Sequence, residues 1–301
     1  MILHSVNMWE RLFLYLVGIL VLAQTAAVPA AFMYGIDDLN VILEYDPVGK
    51  ITRRVQTTNL TRLAGSNAFA FDSARDEMYW LYQGDASNPA GLYVWNQVSG
   101  AYYRIADQSA TWNSQTFPAN AAFYTDSATG KSYYIWITET GSTINYLPIT
   151  YGPSGPIGVG PLIQRTITGT DFSPSNMRFG DIAINPNTRQ LYGATTNGRF
   201  FRIDLTNALV QSTVPYTQIG TRNPSLQIAF DCQYQILYGQ RYEAVNSGTD
   251  NWYTVNIATG ALTPIPNYST EGAELSARDL GGSSCTESPL TARYILFYAV
   301  V

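Results

Sequence analysis

The hydrophobic positions of this chain fall into short runs rather than long stripes. One kind is a run of four or five apolar or small residues closed by Asp or Asn. The copies are Ala68-Phe69-Ala70-Phe71-Asp72, Asp181-Ile182-Ala183-Ile184-Asn185 and Gln227-Ile228-Ala229-Phe230-Asp231. Seven residues after each closing Asp or Asn comes the tyrosine of an aromatic-rich run: Met78-Tyr79-Trp80, Leu191-Tyr192-Gly193 and Leu237-Tyr238-Gly239. Ala121-Ala122-Phe123-Tyr124 with Tyr133-Tyr134-Ile135 is a slightly longer version. A short, continuously apolar run bounded by turn residues predicts a strand buried on both faces. Outside the N-terminal leader no segment sustains a 3.6-residue apolar period, so the prediction is strands throughout.

A second phrase recurs roughly every 50 to 55 residues: a strand ends in a polar residue, turns tightly, and returns as another strand. Its turns open at Asp46, Asn96, Asp204 and Asn256. Asn96 and Asp204 lie 108 residues apart, and a divergent copy, Asn145-Tyr146-Leu147-Pro148-Ile149, falls between them. In the first copy Pro47 presets a type I turn, and Gly49 is expected to supply the left-handed residue, with Asn207 in the same role later. Asp46, Asp72, Asp204 and Asp231 recur at fixed turn positions, which predicts side chains bonded to local backbone rather than catalysts. Four strands per unit at this period predict an all-β, five-bladed β-propeller.

The ends of the chain predict how the ring closes. Met33-Tyr34-Gly35-Ile36-Asp37 reads as the second strand of a unit, and Ala277-Arg278-Asp279-Leu280-Gly281-Gly282 takes the place of the missing first strand. The ring is then closed by strand exchange between the N- and C-terminal segments, within residues 31–285. Cys232 and Cys285 fall at equivalent positions on neighbouring blades, so a disulfide across the seam is expected.

Leu191-Tyr192-Gly193 with Arg202-Ile203-Asp204, and Met33-Tyr34-Gly35 with Tyr45-Asp46-Pro47, resemble the repeats of secreted propeller-like domains of unknown function. The resemblance spans nearly all of residues 31–285 and implies a fold. It implies no active site.

Residues 1–30 read as a cleaved signal peptide: Arg11, a 12-residue apolar run from Leu12 to Ala23, then small residues up to Ala31. That run is shorter than the roughly 20 residues a bilayer span needs, and no membrane span is expected after cleavage. The expected protein is secreted and extracellular. With 17 Lys and Arg against 22 Asp and Glu, it has no basic footprint and no nucleic-acid partner is expected. Two sequons, at Asn59 and Asn267, predict glycosylation in a eukaryotic secretory route.

The only histidine, His4, lies in the leader, so chemistry that needs an imidazole is not expected of the mature chain. No cofactor or metal site is predicted; Asp37-Asp38 and Glu271 to Glu274 lack the spacing of a calcium loop and read as solvated. Asp181 and Asp279 are the best carboxylates for work at the channel mouth, against a plainer reading as strand-start hydrogen bonders or partners of Arg178 or Arg278. Trp112 and Tyr151 to Pro156 are expected in longer loops where an aromatic could stack on a sugar, whereas Trp80, Trp95 and Trp136 are expected between blades.

Residues 286–301 are surplus to the ring and end in Tyr294-Ile295-Leu296-Phe297-Tyr298-Ala299-Val300-Val301, without charge, glycine or proline. A bare strand of that composition needs a partner. It can lie on its own propeller, add to a neighbouring copy by β-augmentation, or lead into a further domain. The expected function is a secreted, non-enzymatic structural or adhesive propeller, joined head to tail with copies of itself through Tyr294, Ile295, Leu296, Phe297, Tyr298 and Val300. The alternatives are a glycan-binding lectin and a carboxylate-dependent glycoside hydrolase.

Overall fold

The computed structural model describes residues 32–37, 41–57, 66–108, 118, 120–139, 143–169, 177, 180–196, 198–215, 225–242, 251–268 and 277–285. The leader at 1–30, Asp38, Asn59, Trp112, Arg178, Glu271 to Glu274 and the segment from Tyr294 to Val300 lie outside the described residues.

Five antiparallel sheets form the ring. Blade 1 orders β21 (Asp279–Ser284), β1 (Phe32–Ile36), β2 (Val41–Asp46) and β3 (Ile51–Thr57) from inside to outside. Its innermost strand therefore comes from the far end of the chain, as the terminal motifs predict. The pairing runs Phe32↔Ser284 to Ile36↔Asp279. Blade 2 is β4 (Ser66–Asp72), β5 (Glu77–Tyr82), β6 (Gly91–Asn96) and β7 (Tyr102–Asp107). Blade 4 is β13 (Asp181–Asn185), β14 (Gln190–Ala194), β15 (Arg199–Asp204) and β16 (Leu209–Pro215). Blade 5 is β17 (Ser225–Phe230), β18 (Leu237–Tyr242), β19 (Trp252–Val255) and β20 (Leu262–Pro264).

Blade 3 departs from the pattern. β8 (Ala122–Thr125) and β9 (Ser132–Ile137) are regular, but β10 (Thr143–Gly152) runs ten residues. Asn145 sits in mid-strand opposite Trp136, so the expected turn there is absent. Such a turn would need a left-handed residue four places on, and that residue is Ile149, whose β-branch disfavours positive φ. The chain instead turns after Gly152, returns as β11 (Gly155–Val159) along the far half of β10, and then adds β12 (Ile163–Thr166) along the near half.

The recurrent turns have one geometry. The opening Asx accepts from the amides two and three residues on: Val48 and Gly49 to Asp46 Oδ1 at 3.0 and 2.8 Å, Ala258 and Thr259 to Asn256 Oδ1 at 3.0 and 3.1 Å. The left-handed residue stands four places after the Asx, at Lys50 (φ 57°), Gly100 (68°), Ala208 (57°) and Gly260 (69°). This corrects the expectation for Gly49 and Asn207 by one position. Gly49 is small for another reason: a Cβ there would collide with the Asp46 carboxylate folded over it.

No single core fills the ring. Five clusters of buried side chains lie one between each pair of neighbouring blades. Trp80 and Trp95 are buried between blades 1 and 2, and Trp136 between blades 2 and 3, as expected. Because each blade is sandwiched, each cluster stabilises two blades, and the seam carries one like any other. Cys232 and Cys285 are bonded across that seam with Cα atoms 5.2 Å apart. Asn267 is exposed in a turn after β20.

Candidate functional site

Asp181 and Asp279, the first residues of β13 and β21, lie at the end of the innermost strands opposite the Asx turns. Their blades are not neighbours, so their meeting is across the central channel, and both are fully buried. Asp181 Oδ1 accepts from the Ile182 amide and Oδ2 from the Ile228 amide of blade 5, each at 2.7 Å. Asp279 Oδ2 accepts from the Phe69 amide of blade 2 at 2.6 Å. That amide is turned inward by a bulge in β4, where Ala68 has φ 58° and the register slips between Asn67 and Ala70.

The two carboxyls lie near enough to act on each other's proton affinity. Asp279 Oδ1 is buried with no hydrogen-bond partner among the described residues. Burial pushes Asp181 up to about 7, and burial with the adjacent Asp181 charge holds Asp279 well above the carboxylate range. The pair therefore retains a proton where exposed carboxylates would have lost it, and its amide partners tie it to four blades at the axis.

Both carboxyls are fully enclosed, with no surface open to solvent. The channel leading away from them holds a cavity of about 40 Å³, lined by side chains that include Phe71, Phe123, Ile184 and Phe230. It admits a water molecule or so and no sugar.

A second polar cluster was not legible in the sequence. Tyr151, expected on a loop, ends β10 and reaches into blade 2. Its hydroxyl lies 3.2 Å from Asp72 Oδ2, 3.3 Å from Glu77 Oε2 and 3.0 Å from the Tyr79 hydroxyl. The Arg75 guanidinium lies 4.0 Å above the Tyr151 ring and bonds Asp72 at 2.9 Å. Burial raises Glu77, opposed by the Tyr79 hydroxyl, which donates at 2.6 Å. Tyr103 completes the junction by donating to the Pro156 carbonyl at 2.9 Å. These bonds clamp the β10–β11 hairpin onto blade 2, and the Arg75 guanidinium covers one face of the Tyr151 ring. Asp37, expected solvated, is buried and accepts from the Val41 amide at 2.8 Å.

Among the described residues an open site lies between blades 3 and 4, on the face that carries the Asx turns. It is a cleft of about 200 Å³ lined by Tyr124, Tyr133, Tyr146, Arg165, Arg189 and Asp126, among others. Tyr124 and Tyr133 stack with centroids 6.4 Å apart, and Tyr133 meets Tyr146 edge-on at 6.1 Å. Arg165 of β12 crosses the gap, its Nη1 donating to the Leu205 and Thr206 carbonyls of blade 4 at 3.0 and 2.7 Å, with the guanidinium 5.3 Å from the Tyr146 ring. Arg189 projects from the β13–β14 turn with φ 55°. Only Tyr124 and Tyr133 were visible to sequence reasoning, as strand aromatics. Arg165 meets them only because β12 is an addition that the repeat does not predict, whereas Arg189 comes from the regular β13–β14 turn.

No family model matches the chain, and no curated protein matches it. Among solved structures it is similar to a functionally unknown protein from Desulfotomaculum acetoxidans, with a TM-score of 0.45 at 10% identity over 84% of this chain and 85% of that one. It is also similar to an auxiliary nutrient binding protein from Bacteroides thetaiotaomicron, with a TM-score of 0.41 at 11% identity over 77% of this chain and 53% of that one. A third likeness is the WD40 domain of SCAP from fission yeast, with a TM-score of 0.35 at 10% identity over 78% of this chain and 55% of that one.

Proposed function

We propose that this chain is a secreted, non-enzymatic adhesive propeller that holds a sugar in the cleft between blades 3 and 4. The observation that carries the reading is the cleft itself: three tyrosines, two arginines and an aspartate around a space of about 200 Å³. That is smaller than the about 300–1,000 Å³ of a site for a drug-sized ligand and suits a single sugar ring. Sugars present C–H faces to aromatic rings and hydroxyls to charged side chains, and both surfaces are supplied. Export is supported by the leader composition and by a disulfide, which persists in oxidising compartments.

A glycan array probed with the secreted protein tests it. Binding that Tyr133→Ala abolishes while leaving the unfolding temperature within a few degrees supports the reading. An array without a hit overturns it, as does retention of the protein inside the cell.

The second reading is assembly into filaments through Tyr294 to Val300. The observation favouring it is the uncharged, proline-free composition of residues 294–301. Electron micrographs of native secreted material should then show filaments that disappear on deletion of residues 292–301. A full-length protein that stays monomeric at high concentration refutes it.

A further inference from the structure

Asp126 and Arg189 face each other across the mouth of the cleft, but they are not an exclusive pair. The guanidinium Nη2 stands 3.5 Å from Asp126 Oδ1, long for a charge-assisted hydrogen bond. Asp126 is already committed to its own turn: Oδ1 accepts from the Ala128 amide at 3.1 Å and Oδ2 from the Thr129 hydroxyl at 2.9 Å. Those two bonds hold its carboxyl below the ordinary range, the Thr129 hydroxyl contributing most. The Arg189 side chain is 44% exposed, and it carries five N–H donors in a planar fork. Arg165 is placed differently. Its bonds to the Leu205 and Thr206 carbonyls fix it as a stationary positive charge on the opposite wall. Two guanidinium groups against one carboxylate leave the cleft with a net charge of about +1 in a chain of net charge −5.

We infer that the cleft selects a sugar bearing an oxyanion substituent, a hexuronate carboxylate or a sugar sulfate, with Arg189 as the group that reads the anion. This rests on the sugar-binding reading above and adds its specificity. The ring lies against Tyr133, a partly exposed residue, whereas Tyr124 and Tyr146 are buried. The oxyanion takes the Arg189 fork in a two-bond geometry that a hydroxyl cannot match. Arg165 adds attraction without new bonds, because its position is set by blade 4.

The test is isothermal titration of the full secreted protein with three oligosaccharides of matched length: a neutral galactan, an oligogalacturonate and a sulfated galactan. The inference expects at least one acidic ligand to bind about tenfold or more tighter than the neutral one. Arg189→Gln should reduce the preferred acidic affinity about 10- to 100-fold and leave the neutral affinity within twofold. Asp126→Asn, which removes the competing carboxylate, should raise the acidic affinity, and this change cannot come from unfolding. The two acidic arms distinguish carboxylate from sulfate. If neutral and acidic chains bind equally well, the selectivity is overturned while sugar binding stands. If none of the three binds, and none does so in a wider array, both are overturned.

Discussion

Replacing Asp181 by asparagine keeps the shape of the central carboxyl pair and removes its titration. In the native ring Asp181 is pushed from its ordinary 3.8 up to about 7, chiefly by burial. A carboxyl raised on folding binds its proton more tightly in the folded chain than in the unfolded one. Its contribution is therefore fully present below about pH 4 and is lost as pH rises toward 7. Three pH units at about 1.4 kcal/mol each give a loss of about 4 kcal/mol, and the group is buried enough that solvent screening does not discount it. In the variant the amide can donate to Asp279 Oδ1, which now lacks a donor, while its oxygen accepts only one of the two amides it had. Asp181→Asn should thus be about 1–2 kcal/mol less stable than wild type at pH 4 and equal or more stable at pH 8. The assay is denaturant unfolding of both proteins, disulfide intact, at unit intervals from pH 4 to 8. Parallel stability curves would refute the retained proton. So would a wild type whose stability rises across that range while the variant follows it.

Blade 1, which closes the ring, supplies two further predictions. Cys232→Ser with Cys285→Ser reopens a loop with a sequence separation of 53 and should cost about 4 kcal/mol by chain entropy, with the β1 and β21 amides the first to exchange with deuterium. Gly281→Ala places a methyl 2.8 Å from the Ala70 Cα and against the Phe69 ring, so β21 can no longer lie beside β4. A loss of about 2 kcal/mol or more is expected, and a thermal melt unchanged from wild type would contradict the close approach. Trp252→Ala removes a ring packed against Tyr45 at 5.0 Å and Tyr268 at 5.4 Å and should cost about 3–5 kcal/mol in equilibrium unfolding. Tyr151→Phe deletes the hydroxyl that bridges Asp72 and Glu77. It should cost about 1–2 kcal/mol and raise proteolysis of the β10–β11 hairpin selectively.

The sequence by itself determined everything that depends on a local preference repeated at a regular interval. Apolar runs closed by Asp or Asn became innermost strands, and the recurring aspartates became turn residues bonded to the backbone beside them. The offset of one strand between the two ends of the chain foretold that β21 would complete blade 1 and that Cys232 would meet Cys285. Its errors were local as well. The left-handed residue stands one position later than the turn pattern predicts, and Asn145 lies in mid-strand because the β-branch of Ile149 disfavours the backbone angle that turn requires. The pairings that carry polar chemistry were decided only by the tertiary structure. Asp181 and Asp279 are nearly a hundred residues apart on blades that do not touch around the rim, and Tyr151 reaches a blade formed some seventy residues earlier. Arg165 faces blade 4 only because β12 was added to blade 3. A residue's side-chain type states what it can donate or accept. Its proton affinity and its partner depend on how much water is excluded and which groups ring closure brings near, and neither quantity is encoded in a local pattern.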